Sequence, residues 1–207
     1  MKLLSTIALP LCLLLSAGAF ADRVKHIDQT VDASMLASVR LEISVGELEI
    51  ETYDGDEIQL EIDLEAKRSW LSWRRRDIAD VELEVRENNS RVYLVIDERN
   101  IEQHWRIRMP AKLALDIDVG VGEIRIEDFS NDLEMEVGVG SVRIEVADMD
   151  YGLIHVQAGV GDAAIRGFSG RSDNERSFVS ADAYYRGGGD RKIEIEVGVG
   201  DVVVINR

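Results

Sequence analysis

The sequence predicts an all-β fold, a β-solenoid assembled from stacked units of strand, glycine corner and strand. Three observations carry this prediction. The C-terminal half repeats one motif around Gly-Val-Gly, apolar residues alternate on both sides of each glycine pair, and helix signals are lacking between the repeats.

Four segments superimpose without gaps: Leu115–Ile126, Leu133–Ile144, Ile154–Ile165 and Ile193–Val204. Their glycine pairs are Gly120 and Gly122, Gly138 and Gly140, Gly159 and Gly161, and Gly198 and Gly200. The first two intervals are each one repeat of roughly 20 residues, within the range of repeat architectures, and the last is about two. The long interval predicts a degenerate rung between Gly170 and Gly189, with Ser177–Ala181 as its strand. Within a unit, Leu115, Ile117, Val119 and Val121 share one parity, and Ile124 and Ile126 take the other. Such a switch needs a bend that returns the apolar face to the same interior, and glycine tolerates the backbone angles of a bend. Val121 and its equivalents are thereby assigned to the buried face. An earlier copy, Leu41–Ile50, carries the single corner glycine Gly46, and its step from Val45 to Leu48 matches that from Val121 to Ile124.

The remaining elements follow in chain order. Lys2, the apolar Leu3–Leu15 and the Ala19-Phe20-Ala21 site read as a secretory signal over residues 1–21, so the mature chain is expected to begin at Asp22. The apolar run is too short to span a bilayer, and no transmembrane segment is expected in the mature chain. The residues before Cys12 do not suit lipoprotein processing, and no other cysteine follows, so stability has to come from packing and strand pairing. Alternation over Ile58–Leu64, Val81–Val85 and Val92–Ile96 predicts three strands, and Asn88-Asn89-Ser90 predicts a hairpin between the last two. Trp105–Met109, ended by Pro110, reads as the strand entering the first regular repeat. Residues 22–207 are expected to form one domain, irregular over 22–110 and regular over 111–207.

A formal charge of −16 argues against nucleic acid or an anionic membrane as partner. Stacking in register would align outward side chains into columns: Asp118, Glu136, Gln157, Glu196; then Asp116, Glu134, His155, Glu194; then Glu123, Ser141, Asp162, Asp201. Carboxylates one rung apart repel, and a hard divalent cation, calcium or magnesium, held by Glu123, Asp162 and Asp201 would relieve this. The competing reading needs no cofactor: exposed carboxylates are screened by salt and discourage edge pairing. One segment breaks the acidic pattern. Lys67, Arg68, Trp70, Trp73, Arg74, Arg75 and Arg76 form a basic, tryptophan-bearing insert, which reads either as a contact site or as a loop folded onto the acidic face. His26, His104 and His155 lie far apart in sequence with no metal-ligand spacing, and no nucleophile–base set emerges. Gly187–Asp190 reads as a flexible turn.

The run Trp105–Pro110, followed by repeated Val-Gly-x-Gly-(Asp/Glu/Ser)-x-x-Ile units, resembles the bacterial putative adhesin domain family, strongly after Gln103 and weakly before it. The resemblance implies an exported, right-handed β-helical domain without an assigned catalytic residue. The residues and the resemblance together point to a non-catalytic structural or binding module of the cell envelope, periplasmic or secreted, acting in adhesion, scaffolding or accessory sensing on an envelope protein or glycan. Two alternatives stand beside it. One is a carbohydrate-active β-helical enzyme using surface carboxylates. The other is self-assembly, with Val202–Ile205 as an unpaired terminal rung that recruits another chain.

Overall fold

The computed structural model describes residues 24–66, 78–98, 101–147, 150–169, 171–176 and 180–207. These form thirteen strands in one mixed sheet: β1 (Val24–Asp32), β2 (Ser38–Tyr53), β3 (Glu57–Ala66), β4 (Glu84–Asn88), β5 (Arg91–Val95), β6 (Ile101–Pro110), β7 (Ala114–Phe129), β8 (Leu133–Val146), β9 (Leu153–Val160), β10 (Ala163–Arg166), β11 (Arg171–Arg176), β12 (Ala181–Arg186) and β13 (Lys192–Asn206). No helix among the described residues is long and apolar enough to cross a membrane.

Four long strands, β2, β7, β8 and β13, bend at their corner glycines and run through two walls of the sheet. β9 and β10 together make a fifth, interrupted at Gly161–Asp162. The five stack in parallel, and their register is the one the repeats dictate: Val45 faces Val121, Leu48 faces Ile124, and Gly122 faces Gly140. Every inward position before the corner carries an aliphatic residue, as in Ile117, Met135, Ile195 and Val156, and the same holds after it for Ile126, Ile144 and Val204. One apolar cluster draws on both walls. A three-residue link, Ser130–Asp132, carries the chain from the end of β7 back to the start of β8, where the Leu115 amide donates to the Asp132 carbonyl at 2.9 Å. Links stack as well. The Tyr151 hydroxyl, held protonated by burial, donates to the Phe129 carbonyl at 3.1 Å, and the Lys192 amide donates to Asp132 Oδ1 at 2.8 Å.

The stack is not a uniform solenoid. Both of its ends are antiparallel: β6, β3 and β1 pair antiparallel on one side, and β9, β12 and β11 on the other. The degenerate rung expected before Gly189 is instead the hairpin β11–β12, laid antiparallel along β9; Ser177–Val179 of the expected strand lie outside the described residues. The order of the stack also departs from the order of the chain. β13 lies between β8 and β9, pairing Val199 with Val139 on one side and with Val160 on the other. Its final segment, Val202–Ile205, is flanked by β8 and β10. It is therefore no unpaired terminal rung, and self-association through that edge is overturned.

The earlier part of the chain is more regular than its sequence. β2 is a full member of the stack, contacting β7 on one side, and β5 and β6 on the other, before and after the corner respectively. The β4–β5 hairpin turns at Asn89 and Ser90, both at positive φ (47° and 63°), the geometry that two-residue hairpin loops favour. Trp105 on β6 is buried, its indole N–H donating to Gln103 Oε1 at 2.9 Å; Gln103 itself is fully buried.

Candidate functional site

The corner itself forms the most regular surface. Three columns run across the five strands: Ser44, Gly120, Gly138, Gly198, Gly159; then Val45, Val121, Val139, Val199, Val160; then Gly46, Gly122, Gly140, Gly200, Gly161. The glycines are required by the stack. A Cβ on Gly138 or Gly198 would lie 2.6 Å from the carbonyl oxygen of the neighbouring corner glycine, and on Gly159 2.8 Å. In the other column the overlap is deeper: a Cβ on Gly140 would meet the Gly122 carbonyl, and one on Gly200 the Gly140 carbonyl. Bringing the strands to hydrogen-bonding distance while they turn leaves no room for a side chain on either side of the valine in β7, β8, β13 and β9; in β2, Ser44 carries one.

The valine points outward. Val121, Val139, Val160 and Val199 are about half exposed, which corrects their assignment to the buried face; the inward alternation stops at Val119 and resumes at Ile124. Gly120 and Gly122 remove the polar contrast that would have marked Val121 as external.

Carboxylates border this ridge. Before the corner the column reads Glu42, Asp118, Glu136, Glu196, Gln157, with Glu196 ahead of Gln157 because β13 is inserted. After it come Glu47, Glu123, Ser141, Asp201 and Asp162. Of the three residues considered for a cation, Asp201 Oδ1 accepts the Asp162 amide at 2.9 Å, but the Ser141 strand separates Glu123 from Asp201. Among the described residues no three His, Cys, Asp or Glu side chains are placed to hold one ion. Farther from the corner, both carboxylate oxygens of Asp116 accept from a single Arg40 nitrogen, Nη1, each at 2.9 Å.

The second wall carries a cluster that sequence spacing hides. β1, β3, β6 and β2 align His26, Asp63, His104 and Glu47 in one outward row. His26 Nδ1 lies 2.6 Å from Asp63, His104 Nδ1 3.2 Å from Glu47, and Arg106 spans Glu61 and Asp63 at 3.3 and 3.1 Å. A surface depression of about 370 Å³ lies over Asp63, His104 and Arg106. The hydrogen bond to Asp63, aided by the charge of Asp28, raises the His26 pKa above its ordinary 6.5, while the same bond and Arg106 lower that of Asp63 below 3.8. The raised His26 value stabilises the attachment of β1 fully below pH 6.5 and loses this effect as pH rises through the folded value. The lowered Asp63 value acts fully above pH 3.8 and is lost as pH falls through its own. Both act together between those limits. An NMR titration is expected to place the His26 midpoint above 6.5 and Asp63→Asn to bring it down; a midpoint at or below 6.5 in the unaltered chain would overturn the pairing. His26 is exposed and Asp63 only half-buried, so added salt should shrink the shift.

The basic insert from Lys67 to Arg76, including Trp70 and Trp73, lies outside the described residues. Gly187–Gly189, expected to be flexible, is pinned: Asp150 Oδ1 accepts the Tyr185 hydroxyl at 2.8 Å and Asp150 Oδ2 the Gly188 amide at 2.7 Å. Burial, then Asp150, raises the Tyr185 pKa and keeps its hydroxyl a donor. Asp150→Ala is expected to cost about 1–3 kcal/mol in denaturant titrations and to speed amide exchange at Gly188. Unchanged exchange there would refute the anchoring role.

The molecule is thus of the all-β class, a two-walled stack of bent parallel strands with antiparallel ends and with its polar chemistry spread over its outer faces. Residues 19–166 match the family described as the N-terminal domain of toast_rack (Toast_rack_N, DUF2154), and the chain belongs to that family. No curated protein matches the chain. Among solved structures it is similar to a putative cell adhesion protein from Clostridium sporogenes (14% identity, 89% of this chain and 100% of that one, TM-score 0.49). It is also similar to a putative adhesin from Bacteroides fragilis (11%, 87% and 97%, 0.32) and to one from Parabacteroides merdae (7%, 88% and 81%, 0.29). The adhesin-type resemblance noted at Trp105–Pro110 and in the repeats agrees with these names.

Proposed function

We propose that the protein is a non-catalytic, exported module of the cell envelope that works by surface contact, as a single domain over residues 22–207. The observation that carries this reading is the form of the sheet. Its two walls spend their inward side chains on one packed core and present outward rows of polar side chains, repeated strand by strand. Such a surface suits recognition over an extended area rather than chemistry at a point. The coil is taken as right-handed, in keeping with the hand that parallel crossovers favour. The partner class is an envelope protein or glycan, met in the periplasm or outside the cell.

The test incubates the immobilised mature chain with native envelope fractions and with soluble envelope glycans. Saturable capture without change to the captured material is the expected result. Release of shortened glycan would overturn the non-catalytic reading, and absence of any capture would overturn the binding reading. Serine at Arg74, Arg75 and Arg76 is expected to weaken capture if the basic insert takes part; unchanged capture would remove it from the contact surface.

A further inference from the structure

Val121, Val139, Val199 and Val160 stand in line on four adjacent strands, exposed by 46%, 45%, 47% and 50%, with Val45 continuing the line on β2. Five strands at about 4.8 Å spacing make an apolar ridge roughly 19 Å long, of which the four exposed valines span about 14 Å, Val45 being half-buried. Glycines on either side of the four exposed valines leave them flanked by two shallow grooves of bare backbone, while Ser44 stands beside Val45. Strand geometry alone does not call for valine here. Threonine has the same branched shape and would suit an exposed strand position, yet all five copies carry valine while the next outward position varies among Glu47, Glu123, Ser141, Asp201 and Asp162.

Charge narrows the occupant. Asp118, Glu136 and Glu196 border one groove and Glu123 the other, and none of the four has a cation partner among the described residues, whereas Asp63, Asp116 and Glu145 each pair with arginine. A second copy would bring the same carboxylates against these, and an anionic bilayer would be repelled. Building on the binding-module reading, we infer that the ridge is the docking surface for a basic amphipathic helix of a partner protein. Its apolar stripe would lie along the valines, and its lysines and arginines would reach the carboxylates on both sides. The helical pitch of about 5.4 Å stays within a few ångströms of the strand spacing over the whole ridge, so one turn meets one valine.

The test uses the mature chain and a synthetic helix of about 18 residues composed of leucine and lysine, with leucines at i, i+3, i+4 and i+7, against a scrambled peptide of the same composition. Fluorescence anisotropy at physiological salt is expected to show the striped peptide binding at least tenfold more tightly than the scrambled one. The triple variant Val121→Thr, Val139→Thr, Val199→Thr is expected to lose about tenfold or more of that affinity. Equal binding of the two peptides, or an unaltered affinity of the triple variant, would overturn the assignment. Should that variant fold poorly, a fluorophore on Val139→Cys, the sole cysteine of the mature chain, gives a second reading. Its emission shifts when the ridge is covered and stays constant if the peptide binds elsewhere. Envelope capture that survives in the triple variant overturns the ridge but not the module reading; peptide binding to a chain that captures nothing from the envelope overturns the module reading alone.

Discussion

Gly140→Ala is expected to leave the chain largely unfolded at ambient temperature. The added Cβ would coincide with the space held by the Gly122 carbonyl oxygen, an atom of a neighbouring strand's backbone that cannot rotate away. Relief requires moving β7 and β8 apart at a point where both change walls, which breaks the ladder before and after the corner together. A cost above about 4 kcal/mol follows, large against the roughly 5–15 kcal/mol that holds a domain folded. The contrast with the outer glycine column makes the prediction specific. A Cβ on Gly159 would lie 2.8 Å from the Gly198 carbonyl, so Gly159→Ala requires a smaller shift and is expected to remain folded with a lower melting temperature. Thermal unfolding followed by circular dichroism separates the two. Equal midpoints would show that overlap with the neighbouring carbonyl does not set the cost of a side chain at the corner.

Removal of Lys192–Arg207 is expected to be as severe, although it takes only the last strand. β13 separates β8 from β9 and is β10's sheet partner. It also supplies Ile193, Ile195, Val197, Val202 and Val204 to the core, each worth about 1.5–3 kcal/mol in burial. The shortened chain would present two unpaired parallel edges, which favours aggregation. Expression and sedimentation of residues 1–191 should give insoluble protein, and a synthetic peptide of residues 192–207 added during refolding should raise the soluble fraction. A soluble, cooperatively unfolding truncated chain would mean that β8 and β9 can close the gap themselves.

How far the sequence foretold this arrangement depends on what kind of information its repeats hold. They specify register within a pair of strands, because a one-residue slip would turn Ile117 or Ile124 outward; Val45 opposite Val121 was legible for this reason. They say little about which pair forms. The units around Gly138, Gly159 and Gly198 present almost the same inward row, so β8 fits beside β13 as well as beside β9. The hairpin β11–β12 breaks that degeneracy by occupying the far edge of β9, and nothing in Arg171–Arg176 or Ala181–Arg186 repeats the glycine motif. β1 escaped notice because Lys25 and Gln29 stand at inward-facing positions beside Ile27 and Val31, which blurs the alternation. Lys25 tolerates the position by sending its ammonium to the carbonyls of Ala79 and Val81, both at 2.6 Å. The row of His26, Asp63, His104 and Glu47 was equally hidden, since only the pairing of β1, β3, β6 and β2 brings those residues together.

The insertion of β13 also sets a clock on maturation. A chain that emerges from its N-terminus delivers β8 and β9 well before the strand that belongs between them, so closure between neighbours in sequence would be premature and wrong. The central part of the sheet cannot be completed until Lys192–Asn206 has arrived, and its contacts span long stretches of chain, a topology associated with slow folding. Delivery in an extended state, with folding deferred until the whole chain is present, would remove the hazard of an early β8–β9 pairing. The order of synthesis and the order of assembly are thus decoupled by a single strand.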